Sequence, residues 1–220
     1  MFITRATIFY SLAGGSGGGS GGKVIPLPVR KKINEAGLGP EYLEQKKRYH
    51  QRVYDSFCND IYCARSLNKL VELAARHMGD LFQPDSVLLL VPLGPVDNTY
   101  SAIKAMVDKA LEEDKLIYLR DLRDGRAITV EERPGGPDLY SESVRALGAK
   151  PEELEKMDLK SLVIAPLVVY DKLDERLQLL GVLILFSRKT DLLHELAGVV
   201  PLRNYTNMLA DAVSQLMGRW

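Results

Sequence analysis

Two long stretches rich in Val, Ile and Leu, residues 161–173 and 176–189, place the strongest constraint on the fold of this chain. They read SLVIAPLVVYDKL and RLQLLGVLILFSRK, and a short charged segment around Asp174 and Glu175 separates them. Aliphatic and β-branched residues in runs of this length, joined by a turn, are typical of an antiparallel β-hairpin. We therefore expect a sheet that is built around this hairpin.

The residues before the hairpin show helical and extended patterns in turn. Apolar positions recur at helical spacing over residues 41–65, and again after Ser66, which offers an N-cap, until Pro84 stops the second helix. The run VLLLVPL, residues 87–93, is short and unbroken, as in a buried strand. SAIKAMVDKALEEDK then predicts a helix, and LIYLRDL predicts a strand.

The remaining segments predict shorter elements. Residues 123–137, RDGRAITVEERPGGP, are rich in Gly, Pro and charge, and we predict a surface loop around a short extended piece. SESVRALGA and PEELEKMDLK predict two short helices, the second with Pro151 in its first turn. After the hairpin, TDLLHELAG predicts a short helix, and PLRNYTNMLADAVSQLMG predicts a longer helix that closes the domain.

Composition and charge exclude several classes of function. Of the 220 residues, 46% are hydrophobic and 26% are charged, which is ordinary for a globular domain. No run of apolar residues is long enough to suggest a membrane span. Lys plus Arg equals Asp plus Glu at 29 each, so no strong net charge attracts nucleic acid. The N-terminus lacks the pattern of a secretory signal, and we expect a cytoplasmic protein.

The residue types that carry catalysis or metal binding are not arranged for either. Cys58 and Cys63 lie five positions apart on a predicted helix, so their side chains are about 140° apart around its axis, which disfavours a disulfide or a metal pair. His50, His77 and His194 fall on separate predicted helices, and no phosphate-binding loop or nucleophile elbow occurs. We therefore expect no enzymatic activity, no metal and no cofactor.

The stretch GGSGGGSGG, residues 14–22, is a flexible spacer, because Gly/Ser runs of this purity behave as random coil and bury nothing. A short linker of this kind strongly raises the effective concentration of whatever it tethers. We interpret residues 1–13 as a tethered partner peptide and residues 14–22 as an engineered linker. Residues 23–40 form an extended lead-in, and residues 41–220 form the domain.

The ordered segments from about residue 60 to residue 218 resemble a GAF domain, a sensory module built from a sheet and helices. They are the helix SLNKLVELAARHMGDL, the strand VLLLVPL, the segment LIYLRDL, the helix SVRALGA, the strand SLVIAPLVV, the strand LLGVLILFS and the final amphipathic helix. The sequence Ala165-Pro166-Leu167 followed by GVL is the most specific part of the likeness. The resemblance implies an α+β fold with a GAF-like central antiparallel sheet, flanked by N- and C-terminal helices.

The ligand chemistry known in this family is not recognisable in the residues. A tetrapyrrole bound through a thioether would need a cysteine in the later half of the domain, and neither cysteine lies there. The family's cyclic-nucleotide pattern is absent, since the lone Asp174-Glu175 falls in the predicted hairpin turn. Methionine-sulfoxide reduction in this family depends on cysteines in the ligand pocket. The resemblance therefore implies a non-catalytic regulatory domain without a bound chromophore.

One departure from the family pattern suggests a role for the tethered peptide. A typical GAF domain has a two-strand hairpin after its first helix, whereas here a helical pattern follows VLLLVPL within ten residues. An edge of that strand would then present unpaired N–H and C=O groups. The peptide has a strand-like alternation, and we predict that it docks as an added β-strand. The predicted pairing edge consists of Val87, Leu89 and Val91. The predicted anchors of the peptide are Phe2, Ile8 and Tyr10. A helical turn in a groove, or an inert cloning remnant, are the alternatives for the peptide.

These patterns lead to one principal functional hypothesis and two alternatives. The principal hypothesis is a non-catalytic GAF-like regulatory domain that binds a protein partner, which the fused peptide represents. The first alternative is a small-molecule sensor with a pocket between the sheet and the loops of residues 121–145, the peptide being incidental. The second is a dimerisation module that pairs the helix at residues 41–65 and the closing helix with those of a second subunit.

Overall fold

The structure is a computed structural model that describes residues 6–7, 10–11, 40–91, 101–133, 136–156, 158–171, 176–193 and 199–218. The helices are α1 (Pro40–Tyr62), α2 (Leu67–Phe82), α3 (Ser101–Glu112), α4 (Pro151–Lys156) and α5 (Val199–Leu216). The strands are β1 (Ala6–Thr7), β2 (Tyr10–Ser11), β3 (Ser86–Val91), β4 (Leu116–Leu119), β5 (Arg126–Arg133), β6 (Gly136–Ser143), β7 (Ser161–Asp171) and β8 (Arg176–Ser187). A short 3-10 turn covers Leu122–Asp124.

The strands form one antiparallel sheet in the order β1-β3-β8-β7-β4-β5-β6, and β2 also pairs with β3. The predicted hairpin is its centre, since β7 and β8 pair along their whole lengths, with Ala165 opposite Leu183. The first long helix of the GAF-like pattern begins as predicted, because the Ser66 hydroxyl accepts a hydrogen bond from the backbone N–H of Lys69 at 3.3 Å. The prediction of an α+β fold with a central antiparallel sheet is confirmed.

Side chains on the two faces of the sheet form two separate hydrophobic clusters. The first, here called the helical cluster, joins the sheet to α1, α2 and α5. The second, here called the α3 cluster, joins the opposite face to α3, α4 and the segment 144–159. Because successive residues of a strand point to opposite faces, β3 sends Val87 and Leu89 into the helical cluster and Leu88 into the α3 cluster.

The two N-terminal strands lie along the outer edge of β3. Ala6 is opposite Val91 and Tyr10 is opposite Val87, which is one continuous antiparallel register. The two ends of this edge, at Ser86–Val87 and Leu90–Val91, are therefore paired within the chain.

The segment at residues 123–137 differs from the predicted surface loop around a short extended piece, since residues 126–133 form the whole of β5 and β6 begins at Gly136. β5 pairs with β4 on one side, where Ile117 lies opposite Thr129, and with β6 on the other, where Ile128 lies opposite Ser141. Tertiary pairing therefore overrides the local signal of Gly, Pro and charge.

The prediction of a short helix in SVRALGA is also wrong, because residues 144–148 form hydrogen-bonded turns. The backbone N–H of Val144 donates to the carbonyl of Gly125 at 3.0 Å, so this amide is committed to the start of β5. Gly148 then adopts a φ of +80°, which ends the turns. The second predicted helix of this region, in PEELEKMDLK, is confirmed as α4. The predicted helix TDLLHELAG is represented by a turn before residue 194, and residues 194–198 lie outside the described part of the chain.

Buried polar contacts anchor the connection from β8 to α5. The Tyr118 hydroxyl donates to Asp191 Oδ1 at 3.0 Å and accepts from the backbone N–H of Leu193 at 3.2 Å. Burial, together with the Asp191 carboxylate, raises the pKa of Tyr118, so its hydroxyl remains a donor. Beside it, the Ser161 hydroxyl donates to the carbonyl of Leu119 at 2.9 Å. The sheet thus holds the segment that leads to α5.

Replacement of Tyr118 by Phe is expected to lower the free energy of unfolding by about 1–3 kcal/mol, because the Asp191 carboxylate and the buried Leu193 amide lose their hydrogen bonds while the ring remains. Urea unfolding measures the change. The control is Tyr170→Phe, since the Tyr170 side chain is 56% exposed and its loss should cost less than about 0.5 kcal/mol. Equal effects of the two substitutions would contradict the anchoring role of Tyr118.

Candidate functional site

The α3 cluster fills the space between α3 and the sheet, on the face opposite the three long helices. Helix α3 covers it with four residues at helical spacing, all fully buried: Ile103, Met106, Val107 and Ala110. The sheet contributes mainly aliphatic side chains from its central strands, such as Ile117, Ile164 and Ile184, and Phe186 of β8 packs against them. The wall is therefore apolar, and Met106 gives it one flexible side chain that can adjust its packing.

Three polar side chains lie together beside this cluster: Lys109 of α3, Glu142 of β6 and Thr129 of β5. Lys109 Nζ lies 3.1 Å from Glu142 Oε2, and the Thr129 hydroxyl donates to Glu142 Oε1 at 3.1 Å. Thr129 is fully buried, whereas the side chains of Lys109 and Glu142 remain 27% and 24% exposed. We call these three residues the polar trio.

The strand register explains why the polar trio lies on this face of the sheet. Ala127 of β5 belongs to the α3 cluster, so Thr129, two positions further on, faces the same way. Glu142 is directly opposite Ala127 on β6 and shares that face. An amine, a carboxylate and a hydroxyl thus lie next to an aliphatic wall. This arrangement suits a ligand with an apolar body and one hydrogen-bonding end.

The turns at residues 144–149 close the α3 cluster on another side. Val144, Leu147 and Ala149 are buried in the cluster. A Cβ built on Gly148 would lie 2.7 Å from the Cβ of Ala105, so the turn packs directly against α3. The position of α3 over the sheet therefore depends on a glycine that lies outside the helix.

The residues predicted from the sequence as a pairing edge do not belong to the α3 cluster. The three of them are on β3 with side chains buried in the helical cluster: Val87, Leu89 and Val91. Of the predicted peptide anchors, Tyr10 is on β2, and Phe2 and Ile8 lie outside the described residues. Their assignment to partner binding stays a prediction, as does the division of residues 1–40 into peptide, linker and lead-in.

Both cysteines belong to the helical side of the sheet. Cys58 of α1 donates from Sγ to the thioether sulfur of Met208 on α5 at 3.6 Å. Burial, with the nearby Asp55 carboxylate, raises the pKa of the Cys58 thiol and lowers its thiolate fraction. Cys63 is exposed just after the end of α1. Neither sulfur belongs to the α3 cluster.

His77 has structural surroundings. His77 Nε2 lies 2.8 Å from Asp60 Oδ2, and the His77 ring meets the edge of Phe57. His194 lies outside the described residues. Within the ranges that the structure describes, no group of three or more His, Cys, Asp or Glu side chains is arranged to hold a metal ion. None of the helices in that part of the chain has the length and hydrophobicity that a bilayer crossing demands.

The sequence patterns did not single out any member of the polar trio. Lys109 lies on a well-predicted helix, but its partners fall on or beyond the segment that was predicted to be a loop. The alternation Ala127, Ile128, Thr129, Val130 is a strand signal that could have revealed β5. The contact between Lys109 and Glu142 depends on how α3 packs over β7 and β4, which no local pattern encodes.

Comparison with known proteins identifies the fold. No protein-family model matches the chain, and the curated proteins contain no match. A phycoerythrobilin-bound GAF domain from a cyanobacterial phytochrome shares the fold with 14% identity and a TM-score of 0.51, covering 80% of this chain and 97% of that domain. A phycocyanobilin-bound GAF domain gives 14% identity and a TM-score of 0.50, covering 78% and 94%. The Stigmatella aurantiaca phytochrome photosensory core module gives 11% and 0.52, covering 78% and 37%.

The predicted resemblance to a GAF domain is therefore confirmed for the fold. The hypothesis that the domain acts by binding a protein partner is wrong, because GAF domains of this fold are described with bound bilins, which are small molecules. The error has a physical origin. An edge strand readily pairs with an available segment, so the pairing of β3 with β1 and β2 does not by itself indicate a functional partner.

Proposed function

We propose that this GAF-like domain is a non-catalytic sensor that binds a small molecule between α3 and the sheet. The observation that supports this proposal best is the second hydrophobic cluster with the polar trio at its border. The helical cluster packs the flanking helices and needs no further occupant. The α3 cluster is separate from it, lies on the opposite face of the sheet, and has half-buried charges beside it.

The cover of the α3 cluster supports entry of a ligand at the polar trio. Three helices of 23, 16 and 18 residues cover the helical cluster, whereas α3 has 12 residues and α4 has six. The turns at residues 144–149 complete the cover of the α3 cluster. Lys109 and Glu142 keep about a quarter of their side-chain surface in solvent. A ligand that enters here meets charged groups first and apolar side chains behind them.

The ligand class follows from these side chains. An apolar molecule with a carboxylate, amide or amine can hydrogen-bond to the polar trio while its body contacts the aliphatic wall. The bilins of the similar GAF domains fall within this broad class. We expect non-covalent binding, since neither Cys58 nor Cys63 belongs to the α3 cluster.

Binding is tested by native mass spectrometry of the full chain as purified, followed by thermal shifts with phycocyanobilin as the first probe and with a metabolite panel. A compound that binds should raise the melting temperature by mass action. Lys109→Met should then weaken its binding about tenfold or more, because a charge-assisted hydrogen bond is lost.

The matched control is Lys104→Met on the same helix, where an exposed lysine pairs with Asp108 four residues away. This variant should bind the compound as the original chain does. Two results would contradict the proposal: no bound or stabilising compound in a folded protein, or equal losses of affinity in Lys104→Met and Lys109→Met.

A further inference from the structure

The end of α3 turns directly into β4 through a tightly hydrogen-bonded segment. The backbone N–H of Glu113 donates to the carbonyl of Lys109 at 3.1 Å, and that of Lys115 donates to the carbonyl of Ala110 at 3.0 Å. Asp114, between them, has a φ of +47°. The turn that carries Asp114 is therefore bonded to the same helical turn that carries Lys109 of the polar trio.

Asp114 reaches α5, the closing helix on the other side of the sheet. Its Oδ1 accepts a hydrogen bond from Arg203 Nη2 at 3.3 Å. The Arg203 side chain is 9% exposed and that of Asp114 is 31% exposed, so the guanidinium is buried beside the carboxylate. A buried charge that keeps a partner resists separation from it more strongly than an exposed pair does. This ion pair connects two elements that belong to different hydrophobic clusters.

A second contact runs in the same direction. Tyr118, four residues after Asp114, holds Asp191 and Leu193 in the segment that leads to α5. The short strand β4 and the turn before it therefore hold α5 at two points, one within its first turns and one ahead of it. A movement of α3 and its terminal turn has a direct path to α5.

We infer that the state of the α3 site is transmitted to the N-terminal half of α5 through the Asp114–Arg203 ion pair. This inference rests on the proposed function, since it assigns a consequence to occupation of the same site. A ligand that displaces the Lys109–Glu142 contact shifts the last turns of α3. Asp114 moves with that turn, and Arg203 carries the change to α5. Coupling of this kind needs a continuous series of contacts between the two sites. The bonds from Lys109 through the turn at Asp114 to Arg203 form such a series.

The experiment replaces the ligand by a substitution on β6, so no small molecule is needed. Glu142→Gln removes the charge that holds Lys109, at a site remote from α5 in the sheet. Amide hydrogen exchange is measured in α5 over residues 203–209, in the full chain and in the Asp114→Asn background. Asn is chosen because it tolerates a positive φ, so the turn is retained while the charge is lost.

In the original background, Glu142→Gln should accelerate exchange of the α5 amides several-fold. In the Asp114→Asn background, where the ionic attraction to Arg203 is lost, the same substitution should change their exchange less than twofold. Amides at the centre of β7 and β8 report global unfolding and should stay unchanged by Glu142→Gln. The matched control, Lys104→Met, should leave α5 unaffected.

Three results would overturn the inference: unchanged α5 exchange in Glu142→Gln, the same acceleration in both backgrounds, or acceleration of β7 and β8 in parallel with α5. Failure of the proposed function is a separate result. If no compound binds while the α5 amides respond as expected, the coupling stands and only the sensor proposal is refuted.

Discussion

Replacement of Gly181 by Ala is expected to destabilise the domain severely, by about 3 kcal/mol or more, and to compromise folding. A Cβ at this position would lie 2.3 Å from the carbonyl oxygen of Leu90 and 2.9 Å from Cγ2 of Val91. The nearer atom belongs to the backbone of β3, where Leu90 is held in register opposite Val182 of β8. The clash therefore cannot be relieved by a side-chain rotation and has to separate two central strands.

Urea unfolding of Gly181→Ala, or the yield of folded protein, measures this effect. Gly218→Ala is the control, because nothing lies within 4 Å of a Cβ built there, although its φ of +66° carries a backbone cost of about 1–2 kcal/mol. Comparable stability of the two variants would show that β3 can move away from β8 at little cost, contrary to the packing described here.

Gly148→Ala should lower the free energy of unfolding by about 2–4 kcal/mol, for two reasons that add. The φ of +80° is unfavourable for any residue with a Cβ, and that Cβ would lie 2.7 Å from the Cβ of Ala105 on α3. Because this contact sets the distance between the turn and α3, the variant should also lower the affinity of any ligand that binds at the polar trio. Chemical unfolding gives the first effect, and the thermal-shift titration gives the second.

Gly125→Ala separates the two reasons. Its φ is +61° and nothing lies within 4 Å of the built Cβ, so only the backbone term of about 1–2 kcal/mol is expected. The contact term is tested by Ala105→Gly, which removes the opposing atom. In that background, Gly148→Ala should cost no more than Gly125→Ala does. If Gly148→Ala is as destabilising in the Ala105→Gly background as in the original chain, the contact with Ala105 contributes nothing and the whole effect comes from backbone strain.

The sequence predicts the elements whose signals are local. The aliphatic runs of β7 and β8, the N-cap Ser66 and the apolar spacing of α5 each describe their own segment. The unbroken run at β3 is explained by the two clusters. Val87 and Leu89 are buried on one face and Leu88 on the other, so no alternation with polar residues remains.

The prediction fails where partners distant in the sequence decide the structure. Residues 123–137 have the composition of a loop, yet β4 and β6 complete their hydrogen bonds on both sides. The polar trio depends on this pairing twice. Thr129 and Glu142 come together through the β5–β6 register, and Lys109 reaches Glu142 only because α3 packs over the neighbouring strands β4 and β7. No single segment contains that information.

The sheet also has a consequence for how this domain melts. Its central strands contribute side chains to both the helical cluster and the α3 cluster. The loss of any one of these strands therefore exposes both clusters to water. Loss of β8 would expose Leu183 and Leu185 on one side and Val182 and Ile184 on the other. Neither cluster can unfold while the other stays folded. The shared sheet therefore makes the two clusters unfold as a single cooperative unit.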